Sequence, residues 1–516
     1  MKKRSSSGGY SKGDVITLSI ADLSDNGNGI GFDSAFSEQK ESPADRGLVF
    51  FVKGAVPGDT IEALVTKVTS HCGYARLNRI ITPSPDRADP FCHAASSCGG
   101  CQLQNLSYSA ELEWKQKRVR DALIRIGGFD GALIDRVLTP IHANSECEHA
   151  SFSASHDRTE QTPTEIISFS SGNESSKHMP AEAPFFTPRY RNKVQMPVGT
   201  GRDGELKAGF FAARTHSIIP VGDCPLCHES AAEATGIILD LMNKYHIPSY
   251  DEKTGSGLLR HIFVRRGFHS GEVCVCLVIN SRKPLPHMDE LADRLFDGIP
   301  GMTSLSYCPN TARTNVILGD EVIPVRGEPF ITDTMCGLKF VISPLAFYQV
   351  NTPQAERLYE QALGYAGLTG SEHVIDLYCG IGTMTLAAAR RAAHVTGVEI
   401  VPDAVKCAKE NARANGIENA EFIAESAEDV LPALADRGLT PDVLIVDPPR
   451  AGLAASCTDA VLSLSPSRIV YVSCNPSTLA RDLKLLSGAY RLTAARPFDM
   501  FSKTCHTEVC CLLTRN

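Results

Sequence analysis

From Glu372 to the end of the chain, short apolar, β-branched runs alternate regularly with helical stretches. Such alternation constrains the fold strongly, because each crossover helix must cover a mostly parallel sheet. The strand His373–Leu377 leads into Tyr378-Cys379-Gly380-Ile381-Gly382-Thr383 and a helix. The strand His394–Val398 ends at Glu399, and a helix over 403–415 follows. The strand Ala420–Ile423, a helix over 427–435 and strands at 442–446 and 468–472 continue the pattern. A helix at 477–486 precedes two β runs, 490–497 and 506–513, which read as an antiparallel pair. The expected fold is a doubly wound, Rossmann-like α/β domain whose ligand crevice lies beyond the carboxyl ends of the strands.

Two motifs sit at such ends. Val446-Asp447-Pro448-Pro449-Arg450-Ala451-Gly452 follows one strand, and Tyr471-Val472-Ser473-Cys474-Asn475-Pro476 ends the next. A carboxylate and a thiol are therefore expected beside the bound ligand. A solitary Gly-x-Gly carries little information. Gly380 and Gly382, however, follow a strand and open a helix, and Glu399 ends the next strand 19 residues after Gly380. The glycines let a ligand approach the backbone closely, and Glu399 can accept hydrogen bonds from ribose hydroxyls. The missing third glycine and the trailing hairpin favour S-adenosylmethionine (SAM), with NAD(P) left open.

At 516 residues the chain is too long for one core, so two to four domains are expected. No apolar run reaches membrane-spanning length and the N-terminus lacks a hydrophobic signal core, so a cytoplasmic protein is expected. Its 18 cysteines then read as core residues, metal ligands or catalysts rather than a disulfide framework. A net charge of −8 argues against an overall basic coat and leaves local nucleic-acid patches open.

Residues 1–12 form a basic, Ser/Gly-rich tail expected to be disordered. Over 13–85, short β runs alternate with Gly/Pro turns and suggest a small OB-like barrel, either binding or structural. In 86–142, Cys92, Cys98 and Cys101 surround a Gly-Gly pair, which suits an inorganic cluster or a metal; three buried thiols are the alternative. A fourth ligand would come from His93 or, far downstream, from Cys224 in Asp223-Cys224-Pro225-Leu226-Cys227. Residues 107–126 read as an amphipathic helix whose Lys115, Lys117, Arg118 and Arg120 face either solvent or RNA. The Ser/Glu-rich stretch 143–185 is expected to be a disordered acidic insertion. A β-rich central domain, 186–347, follows, with a predicted strand at 188–198. Its Arg189, Arg191, Lys193, Arg265 and Arg266 suggest a phosphate-facing patch or a charged solvent face. The catalytic domain spans 348–516.

The run Val52-Lys53-Gly54-Ala55-Val56-Pro57-Gly58-Asp59 resembles the TRAM domain, an OB-like RNA-binding barrel. In the catalytic half, Asp376-Leu377-Tyr378-Cys379-Gly380-Ile381-Gly382, Asp447-Pro448-Pro449-Arg450-Ala451-Gly452, Ser473-Cys474-Asn475-Pro476 and His506-Thr507-Glu508 resemble the RNA uracil-C5 methyltransferases. Cys92, Cys98 and Cys101 with Cys224 look like the [4Fe–4S] site of the branch acting on 23S ribosomal RNA, whose TRAM-like N-terminus also matches. The tRNA-specific branch is similar in its catalytic half and typically lacks both additions. Tyr378 and Thr383 stand where the bacterial rRNA pattern often has Phe and Asn. Cytosine-C5 enzymes usually carry Cys after the Pro pair, where this chain has Arg450.

The resemblance implies SAM as methyl donor, held by Gln349, Tyr378, Gly380, Gly382, Glu399 and Asp447. It implies Cys474 as nucleophile toward uracil C6, Glu508 as the base that removes the C5 proton, and Asp447 as the group that orients base or cofactor. Arg450 is expected to help hold Cys474 as a thiolate. The expected substrate is a single-stranded or loop uridine of 23S rRNA. The same chemistry on tRNA, or an RNA-binding protein with a vestigial methyltransferase fold, are the rival expectations.

Overall fold

The structure is a computed structural model that describes residues 9–33, 48–145, 186–437 and 440–516. The tail expected over 1–12 and the insertion over 143–185 fall outside the described residues, apart from 9–12 and 143–145.

The N-terminal strands β1 (Val15–Leu23), β2 (Gly29–Asp33), β3 (Val49–Lys53), β4 (Thr60–Val68) and β5 (Cys72–Thr82) close into a barrel in the order β1-β2-β3-β5-β4. Period-2 alternation turns Leu18, Phe50, Val52, Ile61 and Ala63 inward, all of them buried. Gly73 is required for closure, since a Cβ there would lie 2.2 Å from the Phe50 ring. The OB-like expectation holds.

A connector with α1 (Tyr108–Arg125) and α2 (Gly131–Val137) follows. Ser107 caps α1 by accepting the Ala110 N–H at 3.3 Å. Val119 and Leu123 of α1 pack with Ile134 and Val137 of α2 against Tyr490 and Leu492 of the C-terminal sheet. The cations of this helix divide between core and surface, with the Lys117 and Arg120 side chains reaching solvent within ion pairs. Lys115 is fully buried between Glu111 and Asp499, at 2.8 and 2.5 Å. Lys117 pairs with Asp22 and Asp121, Arg118 with Asp25, and Arg120 with Asp135. Taking one member from a buried ion cluster leaves its partners uncompensated, at a cost of about 3–5 kcal/mol.

The central domain is a sheet of β6 (Lys193–Thr200), β7 (Leu206–Phe211), β8 (Ile218–Pro220), β9 (Leu259–Arg266), β10 (Val273–Ile279), β11 (Met302–Pro309) and β12 (Ile323–Arg326). Its order is β12-β11-β10-β9-β6-β7-β8, and α3 (Glu229–Lys244) and α4 (Met288–Gly298) pack into its core. The predicted strand at 188–198 starts only at Lys193, because Arg189 turns the chain with φ +57°. Of the five cations read as a phosphate-facing patch or a charged solvent face, Arg265 does not reach the surface, and Arg266 is half-buried. Arg265 is buried and donates to the Ser343 and Ala346 carbonyls at 2.7 and 3.0 Å. Arg189 binds Asp223 at 2.5 Å, and Arg191 and Lys193 line an internal cavity. A ribbon of β13 (Ile331–Met335) and β14 (Leu338–Ile342) leads to the last domain.

There, β15 (His373–Leu377), β16 (His394–Val398), β17 (Ala420–Ile423), β18 (Val443–Val446), β19 (Arg468–Ser473), β20 (Tyr490–Phe498) and β21 (Glu508–Arg515) order as β17-β16-β15-β18-β19-β21-β20. The first five named strands are parallel, and β21 runs antiparallel between β19 and β20. Helices α5 (Thr352–Ala366), α6 (Thr383–Ala389) and α7 (Pro402–Ala414) fill one apolar layer. Helices α8 (Ala427–Asp436), α9 (Ala455–Leu464) and α10 (Pro476–Leu486), with α1, fill the other. Val443–Val446 is buried throughout, as a central parallel strand covered on both faces requires. This is the expected doubly wound fold with its terminal hairpin.

Candidate active site

Register aligns the sequence motifs along one sheet edge. Leu377 pairs with Val398 and Val446, Val446 with Tyr471, and Ser473 with Val509. Tyr378, Glu399, Asp447 and Cys474 are each the first residue past a strand that ends at this edge. Glu508 opens β21 beside Ser473, so carboxylates and thiol converge from three adjacent strands.

The loops that carry them are tied together. The Arg450 carbonyl accepts from Asn475 Nδ2 at 3.1 Å and Thr478 Oγ1 at 3.2 Å, so the start of α10 braces the Asp447 loop. Asn475 Oδ1 also accepts the Ser477 N–H and caps α10. Gly452, at φ +77°, has no room for a Cβ, which would sit 2.4 Å from Asp482 Oδ2. That same oxygen accepts from the Leu453 N–H and the Tyr471 hydroxyl. The Arg450 guanidinium lies 3.4 Å from His506 Nε2, which brings the third motif to the other two.

Burial dominates the electrostatics. It raises the Cys474 thiol to about 11, Glu508 and Asp447 add to the rise, and Arg450 opposes it. Glu508 is raised to about 8 by burial and by Asp447, again against Arg450. Asp447 is raised to about 6 by burial. Burial and the neighbouring cations hold His506 down at about 4, so it is neutral and supplies no second positive charge. The expectation that cations favour the thiolate is therefore corrected. Arg450 acts in that direction, but burial and two carboxyls outweigh it, and the free site holds a neutral thiol. No hydrogen bond from another described residue reaches the carboxyl of Glu508, which is 5% exposed.

Beside this cluster a narrow crevice is lined by Gln349, Tyr378, Gly380, Ile381, Thr383 and Asp447. Tyr378 and Gly380 both have positive φ, +64° and +55°. A tyrosine held there is strained, as is common in ligand clamps. Glu399 Oε2 accepts the Gly380 N–H at 3.1 Å and Oε1 accepts the Val401 N–H at 2.9 Å, which keeps lone pairs for ribose hydroxyls. Gly382 caps α6 and packs against Phe422 and Ala408 instead of lining the crevice. Gln349 is held from behind, its carbonyl accepting from Asn192 Nδ2 at 2.9 Å. Sequence reasoning left out Tyr359 and Asp376, which also line the crevice. Asp376 is pushed up to about 7 by burial and accepts from Thr385 Oγ1. Its place just ahead of the glycine loop was the signal for it. Tyr359 lies inside α5 and has no such signal.

A second cavity, of about 250 Å³, lies between the connector and the central domain. Cys92, Cys98, Cys101 and Cys224 line it together with Cys227, Arg191 and Lys193. Among the described residues, no three His, Cys, Asp or Glu side chains are placed to hold a single metal ion. No helix among them is long and apolar enough to cross a membrane.

Residues 337–516 match the tRNA (uracil-5-)-methyltransferase family model, and residues 11–77 match the TRAM domain model. A Halalkalibacterium halodurans protein described as an uncharacterized RNA methyltransferase is 40% identical, over 96% of each chain. A Clostridium tetani protein of the same description is 38% identical over 98% of this chain and 97% of its own. The solved tRNA (uracil-54, C5)-methyltransferase of Pyrococcus abyssi, in complex with S-adenosyl-L-homocysteine, is 25% identical with a TM-score of 0.69. That alignment covers 97% of this chain and all of the other.

Proposed function

This chain belongs to the SAM-dependent RNA uracil-5 methyltransferase family, and we propose that it methylates C5 of a uridine in 23S ribosomal RNA through a covalent adduct on Cys474. The convergence of Asp447, Cys474 and Glu508 at adjacent strand ends carries the mechanism. Uracil C5 is a poor nucleophile until a group adds at C6. Bound SAM supplies an electrophilic methyl group and one positive charge. Gln349, Tyr378, Gly380, Glu399 and Asp447 would hold it in the crevice, with Gly382 shaping the loop from its core side. Cys474 would give up its proton to solvent as its sulfur bonds to C6. The C5–C6 π electrons would move to the ring carbonyl as an enolate, and C5 would then take the methyl carbon as its bond to the sulfonium sulfur breaks, leaving S-adenosyl-L-homocysteine. Glu508 then accepts the C5 proton, the C5=C6 bond re-forms, and the thiolate leaves. The uridine must first be drawn from its stack, at a cost of a few kcal/mol that is least in a loop.

The base must be ionised to work, and burial holds Glu508 at about 8. A proton on Glu508 blocks only the step after methyl transfer, so the breakdown rate of preformed RNA–protein adduct should rise with pH toward that value. Below it, the fall should be about tenfold per pH unit for one essential deprotonation. A flat profile between about pH 6 and 9 would remove Glu508 as base.

We assign the second cavity to a [4Fe–4S] cluster held by Cys92, Cys98, Cys101 and Cys224. Five thiols, these four and Cys227, line one cavity, and Arg191 and Lys193 beside them can offset the charge of such a centre. Protein purified without oxygen should contain iron and acid-labile sulfide, and Cys98→Ala should lose both. Zinc in their place would overturn this assignment.

The rRNA reading rests on the resemblance of the barrel and the cysteine-lined cavity to the rRNA branch. A tRNA substrate is the second reading. It is favoured by the Pyrococcus tRNA enzyme, which aligns with 97% of this chain, accessory regions included. Labelled SAM offered in parallel with unmodified 23S rRNA and bulk tRNA separates the two. Label in rRNA alone supports the first reading, and label in tRNA alone replaces it with the second.

A further inference from the structure

Glu508 takes no hydrogen bond on its carboxyl from the described residues, so its position depends on the backbone that delivers it. That backbone is the 499–507 loop between β20 and β21, with Phe498 opposite Glu508 at its base. The loop is fixed largely by the connector, almost 400 residues earlier in the chain.

Asp499, the first loop residue, accepts from Lys115 Nζ at 2.5 Å through Oδ1 and from the Tyr108 hydroxyl at 2.7 Å through Oδ2. Lys115 Nζ also donates to the Phe501 carbonyl at 3.2 Å and to Glu111 Oε1 at 2.8 Å. Glu111 Oε1 in turn accepts the Lys503 N–H at 2.7 Å. The Lys503 carbonyl accepts the Gln102 and Leu103 N–H groups, both at 3.1 Å. Lys503 itself sits at φ +65°, a strained conformation that persists only where its surroundings enforce it. Lys115, Glu111 and Asp499 are all buried and shielded from solvent, and Glu111 Oε2, which takes no hydrogen bond, lies 3.2 Å from Lys503 Nζ.

Taking Glu508 as the base, as proposed above, we infer that Lys115 is a positioning residue for proton removal: through Asp499, Phe501 and Glu111 it sets the loop that aims Glu508 at C5. The connector thus belongs to the catalytic machinery, and its buried lysine serves the second half of the reaction. Cofactor binding and thiol addition use other strands and should be spared.

The test uses full-length Lys115→Met and an RNA substrate carrying deuterium at C5 of uridine. Deuterium slows only steps that break the C5–H bond. The variant should bind SAM with wild-type affinity and form the RNA–protein adduct at the wild-type rate. It should break that adduct down about 10–100-fold more slowly, the scale of a small misplacement of a reacting group. Its turnover should be more sensitive to deuterium than that of the wild type. Tyr108→Phe removes one bond to Asp499 while keeping the charges, so it provides the same readout in smaller degree should Lys115→Met not fold. Wild-type deuterium sensitivity in a folded variant, whatever its overall rate, would overturn the inference. Glu508→Gln run alongside separates the two claims. Normal turnover there would remove the base itself, whereas stalled adduct there with ordinary deuterium sensitivity at Lys115→Met would remove only the role of Lys115.

Discussion

Cys474→Ala should abolish methyl transfer, with a loss on the order of 10⁶-fold, the scale seen when the nucleophile of a covalent mechanism is removed. The reason is electronic. Without a sulfur–C6 bond the ring never gains the electron density that makes C5 attack. The loop should survive the change, because it is held by other atoms: the Ser473 hydroxyl, the Asn475 side chain and the Arg450 carbonyl. SAM affinity, measured by equilibrium dialysis, should therefore stay unchanged while turnover disappears. A Cys474→Ala protein that still forms 5-methyluridine would show that another group, or none, activates the ring.

Glu508→Gln should slow turnover by roughly 10²–10⁴-fold, the contribution of a general base, and should do so at a different point. Addition and methyl transfer precede the step it blocks, so RNA already methylated at C5 should remain bonded to Cys474. A slow-migrating RNA–protein species on a denaturing gel, absent from Cys474→Ala and from the double variant, is the expected observation. The amide resembles the neutral acid that burial favours at this position, so the substitution should fold well. Rapid turnover without the adduct would assign proton removal elsewhere, with Asp447 the nearest alternative in the same cluster.

Much of this arrangement is legible in the chain. Asp447 and Cys474 each stand one residue past an apolar β run, and parallel pairing of β18 and β19 does the rest. Glu399 and the Gly380 loop follow from the same logic. Glu508 is less evident from local pattern, because it opens an antiparallel strand rather than following a parallel one, and its role came from the His506-Thr507-Glu508 resemblance. Lys115 and Arg265 lie inside rather than on a surface for one physical reason. Amphipathic periodicity shows that Lys115 and Arg118 share a helix, but their partners Asp499 and Asp25 lie far away in sequence. Likewise Arg265 sits on an alternating strand, yet β9 is central and covered on both faces, so its guanidinium turns inward to backbone carbonyls. The sign of the thiol shift had the same origin. Arg450 is three residues beyond Asp447, whereas Glu508 reaches Cys474 only through the antiparallel pairing of β19 and β21.

The most direct test of the covalent account uses RNA in which the target uridine is replaced by 5-fluorouridine. Fluorine cannot leave as a cation, so a reaction that adds at C6 and methylates C5 should halt before the base step. Digestion and mass spectrometry should then find a single modified peptide, containing Cys474 and carrying a methylated fluorouridine. A nucleotide adduct on any other residue, or one on Cys474 without the methyl group after SAM has been consumed, would contradict the account.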